Sequence, residues 1–539
     1  MKITPAFLAL LLFASPSARA GETLYNGITL PDAWPPHEPV AKAGEPMPLP
    51  YLAHPPAVIP IDVGRQLFTD DFLIEQTTMK REHHLATAYE GNPVFKAETD
   101  AERRGKSPMA MPFSDGVWFD PQDQLFKMWY LAGYSSHTAY ATSRDGVKWE
   151  RPQLDVRAGT NVVENGPRDS STVWLDLEER DPQRRFKMFR IHSENKVWAI
   201  SVYFSADGIH WGERVLRTGP TGDRTTVFWN PFRKVWVYSI RHGWSGPRAR
   251  RYWEVKDILA GPQWGALTDA VMWTGSDRLD PPREDLQETP QLYNLDAVAY
   301  ESVMVGLFTV WRGDKNIPPG RPKPNSIFLG TSRDGYHWDR PDRRPFIPVS
   351  EKEGDWNWGN VQSVGGGFLV NGDRLWFYHS GRAGSGPTNR DGNGGTGISF
   401  LRRDGFASMD AKEEATLTMR TVKFSGRHLF VNVDAPAGEL RAEVLGADGK
   451  VIAPFTKENC APVTADTTRT AVKWRGADDL SKLAGQPVKF RFTLRNGALY
   501  SFWVSPDASG ASHGYVAAGG PGFTGPTDTT GSGADAKQK

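Results

Sequence analysis

The strongest constraint on the fold is a seven-residue pattern that occurs three times. It reads Ser-x-Asp-Gly-apolar-basic-Trp and occupies residues 143–149, 205–211 and 332–338, with a weaker copy around Asp404-Gly405. Asp-Gly between two strand-like runs predicts a tight hairpin, because such turns need residues with positive φ. A hairpin that recurs at this period predicts a set of small repeated sheets, not one closed barrel.

A second repeated unit precedes these hairpins and consists of a strand, a polar turn and another strand. The paired runs are residues 117–120 and 126–130, 173–176 and 186–189, 227–230 and 235–238, and 368–370 and 375–378. Together with the strands that flank Asp-Gly, each repeat makes a four-stranded blade.

The first strands of these repeats begin at intervals of 54 to 72 residues, near Asp115, Asp169, Asp223, Glu288 and Asn360. Five starts predict an all-β fold with a five-bladed β-propeller over residues 61–412. Residues 61–100 leave two alternatives open, a sixth blade or a strand that closes the ring. A large irregular sandwich is the remaining alternative for the whole region.

The segments around the propeller have different patterns. Residues 413–506 alternate apolar and polar side chains, with a hairpin signal at Asp448-Gly449, which predicts a C-terminal β-sandwich. Residues 507–539 are rich in Gly, Ser, Thr and Ala, which predicts a disordered tail. Residues 21–60 are rich in Pro, which predicts an extended lead-in along the surface.

The first twenty residues have the pattern of a signal peptide. Lys2 supplies a positive charge, residues 7–13 form a short apolar run, and Ala18-Arg19-Ala20 fits a cleavage site. We therefore expect cleavage after Ala20 and a secreted or periplasmic protein. The apolar run is too short to cross a bilayer, and no other run approaches ~18 apolar residues, so no membrane span is expected.

Composition excludes several classes of partner. The net charge is +1, so the chain lacks the excess of basic residues typical of nucleic-acid binders, and no nucleic-acid partner is expected. Twenty Trp residues provide core and also stacking surface for sugar rings, so the expected partner is a carbohydrate. The single cysteine, Cys460, excludes an intrachain disulfide. Nothing in the sequence indicates an oligomeric state.

Carboxylates at the first strands are the candidates for catalysis. In a propeller these strands begin at one end of a central channel, so residues distant in sequence converge there. Cleavage of a glycosidic bond needs one carboxylic acid that donates a proton and one ionised carboxylate. Like charges held close together push their pKa values apart and create this division of roles. The predicted catalytic residues are Asp115, Asp169, Asp223 and Glu288.

The alternative for each of these four residues is that its carboxylate caps a strand or turn. That structural role is expected for the aspartates of the Asp-Gly turns and of the turns after the first strands, namely Asp145, Asp207, Asp334, Asp120 and Asp176.

Candidate substrate-binding residues surround the same strand starts. Arg224 can stabilise a carboxylate or bind an acidic sugar, and Trp358 can stack on a sugar ring. His379 and Arg382 open a Gly-rich segment that runs to residue 397 and is a candidate lid. The full predicted set is Arg224, Tyr293, Trp358, Asn360, Gln362, His379 and Arg382.

No cofactor is predicted. The sequence has no phosphate loop, no Rossmann fingerprint and no zinc-ligand spacing, so no metal ligands are assigned. A structural calcium ion in the channel is compatible with the sequence, which does not require one.

The blade pattern, the carboxylates and the C-terminal sandwich resemble the five-bladed propeller glycosidases, the clan that contains glycoside hydrolase families 32, 43, 62 and 68. Residues 126–130, 141–146, 292–296 and 498–502 are similar to exported bacterial proteins of the family-32-like and family-43-like type. The resemblance covers about residues 61–505. It implies that active-site Asp, Asp and Glu residues come from successive blades.

Two motifs can be matched to family 32. Arg168-Asp169 resembles the Arg-Asp-Pro element, with Ser170 in the place of Pro, and Glu288-Thr289-Pro290 resembles the Glu-Cys-Pro element. The Asn-Asp-Pro-Asn nucleophile motif is absent, and Asp223 lies between the two matched elements. These differences argue against hydrolysis of fructan and leave open a different glycoside, or a lyase or dehydratase reaction on acidic oligosaccharides.

The sequence favours an exported glycosidase that cleaves poly- or oligosaccharides at the propeller funnel. One alternative is a non-catalytic carbohydrate-binding propeller. Another is a lyase or dehydratase that acts on uronate-containing chains. In that case Arg224 or Arg382 binds the carboxylate and Tyr293 or His379 is the base.

Overall fold

The computed structural model describes residues 21–36, 44–105, 107–243, 248–283, 285, 289–312, 321, 323–384 and 393–537. The predicted signal peptide and Glu288 lie outside the described residues. The described chain is nearly all-β, as predicted. Its helical elements are short: one α-helical turn at Pro50–Ala53 and 3-10 turns at Pro182–Arg184, Leu267–Asp269, Ser481–Leu483 and Gly531–Lys537.

Three antiparallel sheets of four strands follow one another along the first half of the chain. Sheet 1 consists of Ala110–Asp120, Leu125–Ala132, His137–Ser143 and Val162–Glu164. Sheet 2 consists of Ser171–Leu175, Phe186–Glu194, Val197–Ser205 and Leu216–Pro220. Sheet 3 consists of Thr226–Asn230, Val235–Gly243, Arg248–Val255 and Val271–Gly275.

Two further sheets complete this series, and each recruits a strand from a distant part of the chain. Sheet 4 consists of Gln291–Glu301, Val303–Trp311, Ser326–Ser332 and the late strand Tyr515–Val516. Sheet 5 consists of Asn360–Gln362, Leu369–Asn371, Arg374–Arg382, Gly394–Arg402 and the early strand Thr87–Ala88.

The five sheets contact one another in a closed succession. The first strands of sheets 1 to 4 each contact the next, sheet 4 contacts sheet 5 through Ser326–Ser332 and Asn360–Gln362, and sheet 5 contacts the first strand of sheet 1. One hydrophobic cluster runs through all five sheets. This is the arrangement of separate sheets that the repeated hairpins predict, and the sheets do not close into a single barrel.

The Asp-Gly turns have the structural role that the sequence predicts. The Asp145 carboxylate accepts the backbone N–H groups of Val147 and Lys148, both at 2.8 Å. The same bonds recur at Asp207 and at Asp334. These three carboxylates therefore form hydrogen bonds within their own turns.

Each turn is also bonded to the sheet before it in the ring. Tyr378 of sheet 5 donates to the carbonyl of Gly146, and Trp129 of sheet 1 donates to the carbonyl of Gly208. Trp273 of sheet 3 donates to the carbonyl of Tyr336 in the third turn. The repeat therefore fixes how neighbouring sheets pack as well as how each hairpin turns.

Two six-stranded sheets enclose a second hydrophobic cluster. Sheet 6 consists of Ile59–Pro60, Ile74–Thr77, Ala415–Met419, Val422–Lys423, Glu439–Gly446 and Val488–Arg495. Sheet 7 consists of Gln66–Leu67, Lys80–His83, Ala407–Ala411, His428–Asp434, Asp466–Ala471 and Gly497–Ser505.

The predicted range of the sandwich, residues 413–506, is wrong because it omits strands from the N-terminal part of the chain. Gln66–Leu67, Ile74–Thr77 and Lys80–His83 pair with sandwich strands, so this part of the predicted propeller belongs to sheets 6 and 7. The Pro-rich lead-in also contributes Leu24, Ile28, Leu30 and Tyr51 to the second cluster. These strands are only two to four residues long and carry no alternation that identifies their partner.

The prediction of a disordered tail is wrong for residues 507–537. Ala518 accepts the N–H of Phe119 and donates to the carbonyl of Phe368, and Gly519 accepts the N–H of Val370. The composition is misleading because backbone groups, which every residue type carries, make these bonds. Gly520 also allows a close approach, since a Cβ there would lie 1.7 Å from the Val370 carbonyl.

A buried ion network joins the tail to both sheet systems. Arg403 contacts Asp528 of the tail at 3.2 Å and Glu301 of sheet 4 at 3.4 Å. Arg65 contacts Asp404 at 2.9 Å, and all of these charged side chains are buried. The tail thus adds a third carboxylate to a buried cluster in which Arg65 and Arg403 also face Glu301 and Asp404.

Candidate functional site

The predicted strand starts converge where sheets 1 to 5 begin. Asp115 lies within the irregular start of the first strand of sheet 1, and Asp169 and Asp223 precede the first strands of sheets 2 and 3. Asn360 and Gln362 form the first strand of sheet 5. Hydrogen bonds connect these starts, because Arg168 binds Asp115 and Arg224 binds Asp169, Asn294 and Ser363.

Asp115 is paired with the neighbouring arginine of sheet 2. Its Oδ2 lies 3.0 Å from Nη1 of Arg168, and both side chains are fully buried. The same Nη1 donates to the backbone carbonyl of Asp169 at 3.1 Å. Burial raises the pKa of Asp115 to about 6, although the charges of Arg168 and Arg224 oppose this rise. Asp115 therefore lies beneath the surface that a substrate can reach and positions Arg168.

Asp169 is more accessible and is held by the next strand start. Its Oδ1 accepts the backbone N–H of Arg224 at 3.0 Å, and its side chain is partly exposed. Oδ2 of Asp169 has no hydrogen-bond partner among the described residues. The bond at Oδ1 holds the carboxylate in place, and Oδ2 remains available to a ligand.

Arg224 has an unusual backbone conformation at this point. Its φ is +58°, in the left-handed region that a non-glycine residue occupies at a cost of about 1–3 kcal/mol. This conformation brings the N–H to Asp169 and sends the buried side chain inward. There Nη2 donates to Ser363 Oγ at 2.6 Å and Asn294 Oδ1 at 3.2 Å. Strain at a residue that connects three sheets fits a functional position.

Asp223 is the other accessible carboxylate. One third of its side chain is exposed, and its Oδ1 lies 3.3 Å from Nε of Arg241. Because Asp223 directly precedes Arg224, its backbone adjoins the N–H that binds Asp169. Asp169 and Asp223 are thus two accessible carboxylates at the starts of adjacent sheets.

Asp296 is a buried carboxylate outside the set of site residues predicted from the sequence. It accepts Nδ2 of Asn294 at 2.9 Å and the N–H of Val364 at 3.0 Å, and burial raises its pKa. It lies five residues inside its strand, so a search of strand starts misses it. The available signal is the Asn-Leu-Asp alternation of residues 294–296, which places Asn294 and Asp296 on one face of the strand.

Tyr293 lies among cationic side chains. The guanidinium of Arg248 is 5.0 Å from the centre of its ring, that of Arg224 is 5.3 Å away, and Nζ of Lys323 is 5.5 Å away. Burial raises the pKa of Tyr293, but the positive charges of Lys323, Arg224 and Arg248 outweigh it, so the pKa lies below its ordinary value. Arg248 and Lys323 were not identified from the sequence, because neither lies in a repeated motif.

Arg250 binds the backbone at the starts of two neighbouring strands. Its Nη1 donates to the carbonyl of Arg224 at 2.8 Å, and its Nη2 donates to the carbonyl of Tyr293. Burial lowers the pKa of Arg250 to about 9, and the charge of Arg224 adds to this effect. Arg250 therefore holds two strand starts in place and is not available to a ligand.

Three of the predicted substrate-binding residues, Asn360, Gln362 and Arg382, belong to sheet 5. The amide side chains of Asn360 and Gln362 are buried, and Arg382 pairs with Asn360 across the two strands. Burial lowers the pKa of Arg382, whose guanidinium lies 5.7 Å from the Tyr134 ring. Trp358 is buried as well, beside Arg321.

His379 does not face a ligand. Burial lowers its pKa to about 3, its Nε2 contacts Ser399 at 3.2 Å, and Trp356 covers its ring. Gly381 and Gly397 make room for this indole, because a Cβ on either would lie within 2.5 Å of it. Trp356, not Trp358, is the partly exposed aromatic on this side.

A groove of about 450 Å³ adjoins Trp356 and Ala383. Its lining includes Pro93, Lys96, Arg103, Trp356, Ala383 and Asn393. Residues 385–392 of the predicted lid lie outside the described residues.

Among the described residues, no group of three or more His, Cys, Asp or Glu side chains is arranged to hold a metal ion. In the same part of the chain, no helix is long and apolar enough to cross a membrane.

Comparison with known proteins gives similarity only at the level of solved structures. No protein-family model matches the chain, and no curated protein matches it. An N-acetylgalactosamine deacetylase from F. plautii, in complex with blood group B trisaccharide, is 14% identical, with a TM-score of 0.44; the match covers 60% of this chain and 96% of that one.

Other structural neighbours are glycoside hydrolases. A glycosyl hydrolase from Bacteroides ovatus is 13% identical over 63% of this chain and 97% of that one, with a TM-score of 0.38. A thermostable family-43 glycoside hydrolase is 12% identical over 56% of this chain and 92% of that one, with the same TM-score of 0.38.

Proposed function

We propose that the protein is a glycoside hydrolase-like enzyme that cleaves poly- or oligosaccharides at the strand starts of sheets 1 to 5. In this proposal the five sheets are the blades of a five-bladed β-propeller, sheets 6 and 7 form its sandwich, and residues 1–20 direct export. The observation that carries the proposal is the pair of accessible carboxylates, Asp169 and Asp223, on adjacent blades.

Hydrolysis of a glycosidic bond needs one group that protonates the leaving oxygen and one carboxylate on the opposite side of the sugar carbon. Asp169 suits the second role, because the Arg224 N–H fixes one of its oxygens and the other oxygen has no partner among the described residues. Asp223 and Glu288, on the next two blades, are the candidates for the proton donor. Water supplies the hydroxyl group to the sugar carbon, and the leaving oxygen takes the donated proton.

Asp115 takes a different role in this proposal. Because it is buried against Arg168, it does not touch the substrate but holds Arg168 beside the Asp169 backbone. We therefore assign Asp115 as a positioning residue and Asp169 as a catalytic residue.

The test is hydrolysis of a glycan panel by the wild-type chain and by Asp169→Asn, Asp223→Asn and Glu288→Gln. Loss of a general acid or base lowers kcat by about 10²–10⁴-fold. Added azide restores turnover in a variant that lacks the base or nucleophile, which separates that role from the proton donor. Asp145→Asn makes the same chemical change in a hairpin turn and serves as the control, with activity expected within about twofold of wild type.

Two results would contradict the proposal. Full activity of Asp169→Asn removes Asp169 from the reaction. Binding of a glycan without turnover by the wild-type chain favours the non-catalytic carbohydrate-binding alternative.

A further inference from the structure

Three cationic side chains surround the Tyr293 ring, and a fourth, Arg382, interacts with Tyr293 electrostatically. The four are Arg224, Arg248, Lys323 and Arg382, here called the cation cluster. Among the described residues, none of the four forms a salt bridge with a side-chain carboxylate. The charge of Asp169 acts on Tyr293 and Arg382, and that of Asp296 acts on Arg224, but neither carboxylate lies within salt-bridge distance of the cluster.

Several donors of the cation cluster are buried and have no hydrogen-bond partner in the described part of the chain. These are Nε and Nη1 of Arg224, Nη1 of Arg248 and Nε of Arg382. Arg224 is only 1% exposed and Arg382 only 7% exposed. A buried charged donor without a partner costs free energy. Arg65, Arg168 and Arg403 also have unpartnered donors, but each of them forms an ion pair with a buried carboxylate. The arginines of the cation cluster lack such a pair among the described residues, which favours an anionic ligand.

Aromatic rings offset part of this cost. Arg248 lies 4.7 Å from the centre of the Trp311 ring and Lys323 lies 5.5 Å from it, in addition to their contacts with Tyr293. A cation above a ring face gains about 0.5–2 kcal/mol, which does not replace a paired carboxylate. The rings therefore hold the cations in place and leave their charge available.

Uncharged donors and acceptors adjoin the cation cluster. Asn360 is buried beside Arg382, and neither its Nδ2 nor its Oδ1 has a partner among the residues that the structure describes. Within the same residues, Nε2 of Gln362 is also buried and unpartnered. Amides in this position are suited to sugar hydroxyl groups, which both donate and accept hydrogen bonds.

We infer that the ligand is an acidic sugar whose anionic substituent, a carboxylate or a sulfate, binds between Arg224, Arg248, Lys323 and Arg382. This inference rests on the proposed function, because it names the substrate class of the same site. The guanidinium groups match the planar oxygens of such an anion, and Lys323 adds a point charge. The unpartnered amides of Asn360 and Gln362 bind the hydroxyl groups of the same sugar.

Burial also argues against a larger anion. Arg224 and Arg382 are buried and Arg248 and Lys323 are only partly exposed, so the cluster suits one sugar substituent better than a nucleic-acid duplex. Ala383, which follows Arg382 in the chain, lines the groove beside Trp356, and this groove can hold the rest of an oligosaccharide.

The test is calorimetric binding to the full mature chain carrying Asp169→Asn, so that cleavage does not interfere. The probes are an oligogalacturonate, the same oligomer with its carboxylates reduced to alcohols, and a sulfated neutral oligosaccharide of equal length. We expect the acidic oligomer to bind at least about tenfold more tightly than the reduced one, and this preference to fall as salt is added. Tighter binding of the sulfated probe than of the carboxylated probe identifies sulfate as the substituent.

Substitution then locates the anion. Arg248→Gln and Lys323→Met are expected to weaken binding of the acidic oligomer by about 10–100-fold each, and to leave the reduced oligomer within about threefold. Arg248 and Lys323 are partly exposed, so both variants are expected to fold. Arg278→Gln, which changes an exposed arginine paired with Glu45, is the matched control and is expected to bind as the parent does.

The outcomes separate this inference from the proposed function. Equal binding of the acidic and reduced oligomers, or no loss of binding in Arg248→Gln and Lys323→Met, overturns the inference whether or not glycans are cleaved. Selective binding of the acidic oligomer by a chain whose parent cleaves none of the probes supports the inference and contradicts the proposed hydrolysis.

Discussion

Nη1 of Arg168 lies 3.0 Å from Oδ2 of Asp115, and neither side chain is exposed to solvent. The pair joins the first strands of sheets 1 and 2 directly under the accessible Asp169. Burying two opposite charges costs desolvation energy that their attraction only partly offsets, so such a pair is weak evidence for stability. Its position under the site indicates that it serves to hold Asp169 in place.

The charge state of this pair predicts a pH dependence of stability. Burial raises the pKa of Asp115 from 3.8 to about 6, so the native state binds a proton more tightly than the unfolded chain does. Stability from this group is complete below about pH 4 and is lost as pH rises through about 6, by about 3 kcal/mol. Urea unfolding from pH 4 to pH 7 measures the loss. Asp115→Asn is expected to lack this component, and an identical pH profile for both chains would contradict the assignment.

The ordered tail predicts a stability role for Asp528. Asp528→Asn removes the negative charge that lies 3.2 Å from the buried Arg403, and breaking a buried pair in this way costs about 3–5 kcal/mol. Denaturant titration measures the change in the free energy of unfolding. Asp507→Asn, at an exposed position of the same tail, is the control and is expected to cost less than about 1 kcal/mol. Equal stability of the two variants would show that the tail does not support the sheets.

Two glycines of Asp-Gly turns predict different costs for the same substitution. Gly208 has φ of +77°, and an added Cβ would lie 2.4 Å from the Trp129 ring of the neighbouring sheet. Gly449 has φ of +81° but open space around it. Gly449→Ala is therefore expected to cost about 1 kcal/mol, from backbone strain alone.

Gly208→Ala adds a collision between sheets to the same strain. We expect it to cost about 2–4 kcal/mol, measured by thermal unfolding under conditions matched to Gly449→Ala. If both variants lose the same amount, the turn at Gly208 is not packed against Trp129 as the structure shows.

The reaction type predicts the products and the effect of Tyr293→Phe. Hydrolysis yields a new reducing end and no unsaturated sugar. Phe keeps the ring that Arg224, Arg248 and Lys323 contact, so Tyr293→Phe is expected to retain kcat within about threefold. Reducing-sugar assay and ultraviolet absorbance of the products are measured together. An unsaturated product that disappears in Tyr293→Phe would establish the lyase alternative, with Tyr293 as the base.

The sequence predicted the repeated sheets well because a hairpin is a local structure. Asp145, Asp207 and Asp334 bind backbone groups only two or three residues away, so their pattern is readable from the chain alone. The strand starts at Asp169 and Asp223 were found for the same reason, since they follow the repeat at a fixed place.

The cation cluster could not be predicted in this way. Arg248 and Lys323 are 75 residues apart in the sequence and belong to no repeat, and they meet only because Tyr293 and Trp311 lie between them. The same limit applies to Asp115: a strand start predicts where a carboxylate lies, but its burial against Arg168 depends on a neighbouring sheet.

The sequence by itself determined the periodic features of this protein: the hairpins, the small sheets and the aspartates that serve the turns. These depend on interactions within a few residues, which the order of amino acids specifies directly. The tertiary structure alone decided which strands the early and late segments join, which carboxylates remain accessible and which cations face Tyr293. Those features depend on contacts between residues tens to hundreds of positions apart, and on the burial that such contacts produce.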